Sequence, residues 1–512
     1  MEKRWFTLFK KFEWRYEKGR QIMKGSGNLF KIGSGTVFCC VAAAFALMGL
    51  AVELWAQEWA PSWQLPRRDR PANLIEAPIT GRGEMPESRF FPPMICGACH
   101  TDIFQQWRGS THAYAWSDPL FQALYQKGRQ EAKGEQIEVM DSCVRCHSPV
   151  SFTAGEWTTT QPPMPSEASK QNVFCDFCHS IKATAGIGNA PFIVDPGDAA
   201  KMDFGTKRGP FKDSPKINHN TEYSELHTRS EFCGSCHDVS HAGSRLAVEQ
   251  TYTEWHMGPY NTGDPATTVH CQDCHMRQRP GVPSTGSTER PDNPGFAAPK
   301  QVGGVERPHI WTHYYIGGTS LVLGPSLQEP ERQKMAEDRL KNAAKVEILA
   351  TSSTEPGELL RFRVIVDNIG AGHYIPTGLT EVRQAWLEVE ATDAGGKQVY
   401  HSGYLDDKGH LDGDAVVYHT VFGDKDGKPT YKVWEADHII SDHRIPPRGQ
   451  MVEKYAFLVP SDAKMPLQVK TVLHYRSAPQ WLAVELLGDK ALTIPIVDMA
   501  EAAVTVTGSK AP

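Results

Sequence analysis

Cys96-Gly97-Ala98-Cys99-His100 is the first of five stretches with one pattern, two cysteines three positions apart followed at once by a histidine. The other four are Cys143-Val144-Arg145-Cys146-His147, Cys175-Asp176-Phe177-Cys178-His179, Cys233-Gly234-Ser235-Cys236-His237 and Cys271-Gln272-Asp273-Cys274-His275. Two thiols at this spacing reach the two vinyl groups on one edge of a porphyrin, and the adjacent imidazole binds the iron. The sequence therefore predicts five covalently attached c-type haems.

Zinc binding and dithiol redox chemistry are the alternatives for a single motif of this kind. Zinc ribbons pair two such cysteine units and have no reason to place a histidine after every second cysteine. Ten of the 12 cysteines are used by the motifs, and the other two, Cys39 and Cys40, lie in an apolar run. No cysteine remains for a disulfide framework, although haem attachment of this type requires an extracytoplasmic compartment.

Length and charge limit the remaining possibilities. A chain of 512 residues is long enough for several domains. Its formal charge of -6 gives no excess of basic residues that would bind nucleic acid. We therefore expect a multidomain protein without a nucleic-acid partner.

The N-terminal residues predict a membrane span. Residues 33–52 contain no charged side chain, and residues 1–31 carry nine Lys or Arg against three Glu. A 20-residue helix is about 30 Å long, which matches a bilayer core, and the positive charges keep the preceding segment in the cytoplasm. We expect a basic cytoplasmic segment at 1–32 and an uncleaved transmembrane anchor at 33–55; a cleaved signal peptide is the alternative.

The chain after this segment divides into three parts. Residues 56–91 are punctuated by Pro and Arg and predict an extended linker. Residues 92–344 contain all five motifs and predict a mainly helical and irregular pentahaem cytochrome c domain. Within it, residues 101–108 and 119–128 have helical patterns, and a helical run at 330–344 closes the domain.

Residues 345–512 have a different pattern of apolar and polar residues. Apolar and polar residues alternate at 360–366, 385–390, 452–459 and 467–475, with turn signals such as Asp412-Gly413 and Asp426-Gly427 between the runs. Strands without intervening helices predict an all-β, immunoglobulin-like sandwich. The predicted fold class is therefore an N-terminal transmembrane helix, a multihaem domain and a C-terminal β-sandwich.

Histidines supply candidates for the second axial ligand of each iron. Between His100 and His313 there are 13 of the 20 histidines, and eight remain when the motif histidines are removed. Since five positions need filling, each haem could be held between two imidazoles. Such haems are low-spin, closed to substrates and suited to electron transfer.

Several stretches resemble multihaem cytochromes related to cytochrome c-554 and hydroxylamine oxidoreductase. They are Gln106-Trp107, Ser110 and His112-Ala113 after the first motif, Phe232 and Asp238-Val239 around the fourth, Glu254-Trp255 and Met276 around the fifth, His313-Tyr314-Tyr315-Ile316-Gly317-Gly318, and the start of an appended β-domain at 368–378. The chain departs from both relatives in its number of motifs, and it has no Cys-x-x-Cys-Lys motif.

The resemblance implies distal ligation by His112, His227 and His313, and His219 and His270 are the next candidates. His256 could be a ligand peculiar to this chain. We expect His241 and His309 to form hydrogen bonds or face solvent. For His373, which lies in a Gly-flanked turn of the β-domain, packing is favoured over haem contact.

These features predict an electron-transfer protein rather than an enzyme, and no catalytic residue is assigned. We expect it in a bacterial or archaeal cytoplasmic membrane, with the haem and β-domains on the periplasmic side. The expected partners are a quinol-oxidising membrane complex and other cytochromes. The alternative is an oxidoreductase that acts on a small nitrogen compound, such as hydroxylamine, nitrite or nitric oxide, at one open haem.

The motif count predicts the stoichiometry of haem. We expect five covalent haems per chain, measured by pyridine haemochrome assay and by intact mass of the denatured protein. The double substitution Cys271→Ser and Cys274→Ser should remove one of them, because it removes one thiol pair. A wild-type count below five would show that some motif is not used.

Overall fold

The computed structural model describes residues 85–156, 167 and 169–508, together with the backbone of residues 14–17 and 20–23. The chain forms two compact units, residues 1–68 and residues 69–512. In the first unit, strands Trp14–Glu17 and Arg20–Met23 pair in antiparallel fashion. The second unit contains both the motif-bearing region and the β-rich region.

The transmembrane helix in the predicted fold class is not found, and that part of the prediction is corrected. Within the described ranges, no helix combines the length and the apolar character needed to cross a bilayer. Pro119–Glu131 is the longest helix there, and its 13 residues extend about 20 Å against about 30 Å for a bilayer core. Residues 33–55, where the span was predicted, lie outside the described residues. The fold class is a multihaem cytochrome-like region followed by a β-rich region.

The helices of the motif-bearing region are short. Four begin at a proline, whose fixed φ angle suits the first helical position and whose missing N–H is not needed there. Asp118 caps one of them by accepting a hydrogen bond from the Phe121 N–H at 2.8 Å. The α-helices among the described residues between 85 and 341 are Pro93–Gly97, Thr101–Arg108, Pro119–Glu131, Gln136–His147, Pro149–Thr153, Cys175–Ser180, Ser230–Gly234, Thr251–His256, Cys271–His275, Leu323–Leu327 and Pro330–Lys341.

Strands in this region occur as small pairs between long irregular segments. Three pairs are antiparallel, and the pair Thr206–Gly209 with Asn220–Tyr223 is parallel. The antiparallel pairs are Ile181–Thr184 with Phe192–Val194, Val239–Ser240 with Ala247–Glu249, and Gly295–Phe296 with Glu306–Arg307. The region is therefore mainly helical and irregular, as its sequence predicted.

Two antiparallel sheets make up the β-rich region. The smaller sheet has the strand order Ala344–Ala350, Leu359–Asn368, Gln450–Leu458. The larger sheet has the order Pro429–Thr430, Val416–Gly423, Gln384–Thr392, Leu467–Arg476, Val497–Val506; Gln398–Ser402 also pairs with Gln384–Thr392, and His438–His443 with Val416–Gly423. The alternating runs seen in the sequence coincide with four of these strands, because alternate side chains point into the core.

The helix Pro330–Lys341, which was predicted to close the haem domain, packs into the core of the β-rich region. Its Met335, Ala336 and Leu340 belong to one buried cluster with side chains of both sheets, such as Val364 and Leu473. On another side of the same helix, the Arg339 guanidinium donates to the carbonyl of Cys274 at 2.6 Å. This helix thus connects the fifth motif with the sheets.

One buried ion pair also joins the two regions. The Glu254 Oε1 lies 2.5 Å from an Arg444 guanidinium nitrogen, and both side chains are almost fully buried. Arg444 also binds both carboxylate oxygens of Asp442, at 2.7 and 2.8 Å. The second oxygen of Glu254 accepts from the Tyr374 N–H at 3.1 Å and from the Thr377 hydroxyl at 2.8 Å. Each Glu254 oxygen therefore has a partner from the β-rich region.

We expect Arg444→Met to lower the free energy of unfolding by about 3–5 kcal/mol, because it leaves a buried carboxylate without its charge partner. Urea unfolding of the haem-loaded protein would measure the loss. The control is Lys470→Met, which removes the exposed pair between Lys470 and Glu501 and should change the free energy by about 0–1 kcal/mol. Equal losses in the two variants would contradict the importance of the buried pair.

Candidate haem sites

Each motif lies on a turn of helix, which brings its two thiols and its imidazole to one side. The His100 N–H bonds to the Cys96 carbonyl at 2.8 Å, and the His237 N–H to the Cys233 carbonyl at 2.9 Å. The other three motifs lie within the helices Gln136–His147, Cys175–Ser180 and Cys271–His275. All ten motif cysteines are half-buried and form no disulfide. The thiols are thus placed for attachment to a porphyrin edge.

All five motif histidines have Nδ1 hydrogen-bonded to an acceptor from another part of the chain. The acceptors are the carbonyl of Ala297 for His100 (2.8 Å), of Ala115 for His147 (2.5 Å), of Arg208 for His179 (2.6 Å) and of Ile316 for His275 (2.8 Å), and the carboxylate of Glu249 for His237 (3.2 Å). Because carbonyl and carboxylate oxygens only accept, Nδ1 carries the proton in each ring. Nε2 is the nitrogen left for a metal, which displaces any proton that this nitrogen carries.

The fourth motif differs because its acceptor is charged. Desolvation lowers the pKa of His237, but the hydrogen bond and negative charge of Glu249 outweigh it and raise that pKa to about 9. A carboxylate partner makes an imidazole a stronger electron donor to a metal than a backbone carbonyl does. We therefore expect the redox potential of the haem at this motif to depend strongly on one side chain, that of Glu249.

Four of the five motif histidines face a second histidine ring at nearly constant spacing. The centroid distances and interplanar angles are 6.3 Å and 37° for His100 with His219, 6.2 Å and 47° for His237 with His112, 6.4 Å and 31° for His179 with His313, and 6.4 Å and 19° for His275 with His373. Two metal–nitrogen bonds of about 2 Å, with about 1 Å from each nitrogen to its ring centre, give about 6 Å. The spacing fits one iron between the rings of each pair.

Three of the second rings, those of His112, His313 and His373, are also in the right protonation state to bind iron. Desolvation lowers the pKa of His112 to about 3 and that of His313 to about 3, and it lowers the pKa of His373 as well. These rings are neutral at physiological pH, and the neutral imidazole is the form that binds metals.

The second motif has no such pair. His147 packs against the Phe121 ring, with centroids 3.8 Å apart and planes 5° apart. No histidine faces His147 among the described residues, which include all 20 histidines of the chain. Motif two therefore offers one imidazole where the other four offer two.

The predicted distal ligands differ in how they are placed relative to the motif histidines. His112, His219 and His313 each lie opposite a motif histidine. His227 also lies near His179, at 5.8 Å and 17°, but its Nε2 is bonded to the Cys178 carbonyl at 3.1 Å. Its Nδ1 is buried and has no hydrogen-bond partner among the described residues. The structure thus brings two predicted ligands, His227 and His313, to the same motif.

His270 is not brought opposite any motif histidine. Its Nδ1 accepts a hydrogen bond from the Ser230 N–H at 3.3 Å, so the ring proton must be on Nε2. The same reasoning applies to His241, whose Nδ1 accepts from the Ser244 N–H, and to His309, whose Nδ1 accepts from the Asn293 N–H. His256 is exposed, and its Nδ1 contacts the side-chain amide of Asn261 at 3.1 Å. None of these four rings has the arrangement found in the four pairs.

Neighbouring motifs are in contact through their cysteines. The thiols of Cys96 and Cys175 are close enough to influence each other, as are those of Cys146 and Cys236 and those of Cys233 and Cys271. Phe232, Cys178 and Cys236 pack in one apolar cluster, which connects the third motif with the fourth. The five motifs therefore form one contiguous set.

Comparisons with known proteins agree with this geometry. The family model described as cytochrome c554 and c-prime matches residues 95–180, which contain the first three motifs. The fold is similar to the crystal structure of a penta-heme cytochrome c552 from Thermochromatium tepidum, with a TM-score of 0.54 and 21% sequence identity over 82% of this chain and 100% of that one. The five motifs, the family match over residues 95–180 and the fold together support a multihaem c-type cytochrome.

Other comparisons add little to the description of this chain. None of the curated proteins matches it in sequence. The crystal structure of a CARDB domain in complex with di-metal ions, from Pyrococcus furiosus, is 11% identical over 32% of this chain and 86% of that one, with a TM-score of 0.16. Spo0M, a sporulation control protein from Bacillus subtilis, is 12% identical over 33% of this chain and 51% of that one, with a TM-score of 0.15.

The charged acceptor of His237 predicts a shift in redox potential. In Glu249→Gln the hydrogen bond is kept but the negative charge that favours ferric iron is lost. We expect the midpoint potential of one haem to rise by several tens of millivolts, since about 1 kcal/mol corresponds to ~40 mV for one electron. Spectroelectrochemical titration would measure it. Glu225→Gln, whose carboxylate pairs with Arg229 at the surface, is the control and should leave every potential unchanged.

Proposed function

We propose that this cytochrome transfers electrons through five covalently bound haems. The four histidine pairs carry the proposal, because a haem between two imidazoles is six-coordinate and closed to substrates. The irons of the first, third and fourth motifs would be held by His100 with His219, His179 with His313, and His237 with His112. His313 is preferred to His227 because its spacing matches that of the other three pairs.

The contiguity of the motifs supports a conducting role. Cysteine contacts connect the first motif with the third, and the fourth with both the second and the fifth. Haems attached at these cysteines would have neighbouring edges, so electrons could pass from one ring to the next without leaving the protein. Such a path is of use only to a protein that accepts and delivers electrons at different places.

The same chemistry supports a location and a class of partner. Covalent haem attachment through two cysteines takes place outside the cytoplasm, so the motif-bearing and β-rich regions would lie on the periplasmic side. An electron carrier there requires a donor and an acceptor. A quinol-oxidising complex as donor and other cytochromes as acceptors fit this requirement.

A second candidate function rests on His147 alone. Because no histidine faces this ring among the described residues, a haem at the second motif would keep one axial position for a small molecule. Reduction or oxidation of hydroxylamine, nitrite or nitric oxide would take place there, with the other four haems as the electron supply or sink.

Carbon monoxide separates the two functions, because it binds ferrous haem only where an axial position is open. We expect the reduced protein to bind one equivalent per chain, at the haem of His147, and to show no steady turnover of hydroxylamine or nitrite. Turnover at that haem would establish the second function in place of the first. Two or more equivalents in the wild-type protein would contradict the histidine pairs.

A further inference from the structure

We propose that His373, in the β-rich region, is the distal iron ligand of the fifth haem, so that the β-rich region forms one wall of a haem site. The inference rests on the proposed attachment of haem at Cys271 and Cys274. It assigns to this region a part in the redox centre, although the region contains no cysteine.

The two rings have the arrangement that an iron between them requires. His275 and His373 are 6.4 Å apart and are the most nearly parallel of the four pairs, at 19°. The Nδ1 of His275 bonds to the Ile316 carbonyl at 2.8 Å, and the Nδ1 of His373 to the Tyr374 carbonyl at 2.9 Å. Both rings therefore carry the proton on Nδ1, and each keeps the lone pair of Nε2.

The turn that carries His373 is held on its N-terminal side. The Asn368 side chain donates to the His373 carbonyl at 2.8 Å and accepts from the Ala371 N–H at 2.9 Å. Gly370 lies so close to the preceding chain that an added Cβ would be 2.2 Å from the Asn342 carbonyl oxygen. Only glycine fits at that position, and the backbone of the turn is thereby fixed against the end of the helix Pro330–Lys341.

On its C-terminal side, the turn is held by the motif-bearing region itself. The Tyr374 N–H donates to Glu254, which is buried on the helix Thr251–His256 between the fourth and fifth motifs. Arg444 neutralises Glu254 from the β-rich region. The residue next to His373 is therefore bound to the same part of the chain that carries the haem motifs, which fixes the imidazole relative to His275.

His270, the predicted distal ligand nearest in sequence to the fifth motif, does not face His275. It is adjacent in sequence to the fifth motif, but its Nδ1 accepts the Ser230 N–H and its Nε2 carries the ring proton. Among the described residues, His373 is the ring that faces His275. The assignment follows from this placement and from the free Nε2.

Replacement of His373 should leave one axial position of the fifth haem iron open. We expect His373→Gly to convert one further haem to the high-spin state and to raise carbon monoxide binding from one to two equivalents per chain. Free imidazole should restore the low-spin spectrum by occupying the space of the missing ring. Electron paramagnetic resonance of the ferric protein and carbon monoxide titration of the ferrous protein would measure both changes.

His474→Gly is the matched control. His474 is buried in the β-rich region and bonds to Glu388 and Asp498, with no motif histidine opposite, so this variant should keep the wild-type spin state. An equal rise in high-spin haem in both variants would show general loosening and overturn the assignment. If His373→Gly does not fold, His373→Met decides: a low-spin haem with the far-red methionine–iron band supports the assignment, and its absence overturns it.

The haem count distinguishes the failure of this inference from the failure of the proposed function. A wild-type chain without haem at Cys271 and Cys274 would refute the proposed function, and the ligand assignment with it. A protein with five haems whose spin state and carbon monoxide stoichiometry are unchanged in His373→Gly would overturn the ligand assignment alone.

Discussion

The hydrogen bond at Nδ1 of each motif histidine is the interaction on which the rest of the structure depends. It fixes the tautomer and the ring orientation, and it directs Nε2 away from the acceptor. Four acceptors are backbone carbonyls, and for His100 the acceptor, Ala297, is 197 positions away along the chain. Segments between the motifs and after the fifth motif therefore deliver carbonyl oxygens to the imidazoles.

Two buried connections join the motif-bearing region to the β-rich region. The helix Pro330–Lys341 packs Met335 and Leu340 between the sheets while its Arg339 holds the carbonyl of Cys274. Glu254 and Arg444 form a second connection, buried and fully bonded. A β-rich region attached in this way has little freedom to move relative to the motifs, and this rigidity is what a distal ligand such as His373 requires.

The contrast between His147 and the other motif histidines divides the protein into two kinds of site. Four sites offer two imidazoles and suit the passage of electrons. The second offers one imidazole, packed against Phe121, and is the place where a small molecule could reach an iron. The residues around the open axial position at His147 determine whether that haem only transfers electrons or also reacts with a small molecule.

The sequence by itself determined the chemistry that is local along the chain. Two thiols and an imidazole within five positions share one helical turn, so the attachment sites follow from spacing alone, and alternation predicted the strands because it reports one buried face. The distal ligands were only partly predictable, because they depend on which rings the fold brings together and on which nitrogen keeps its lone pair. His270 is next to a motif but accepts the Ser230 N–H, whereas His373 is distant in sequence and faces His275. Only the tertiary structure decided these pairings, since each requires two separate segments to meet at a distance set by the metal–nitrogen bond.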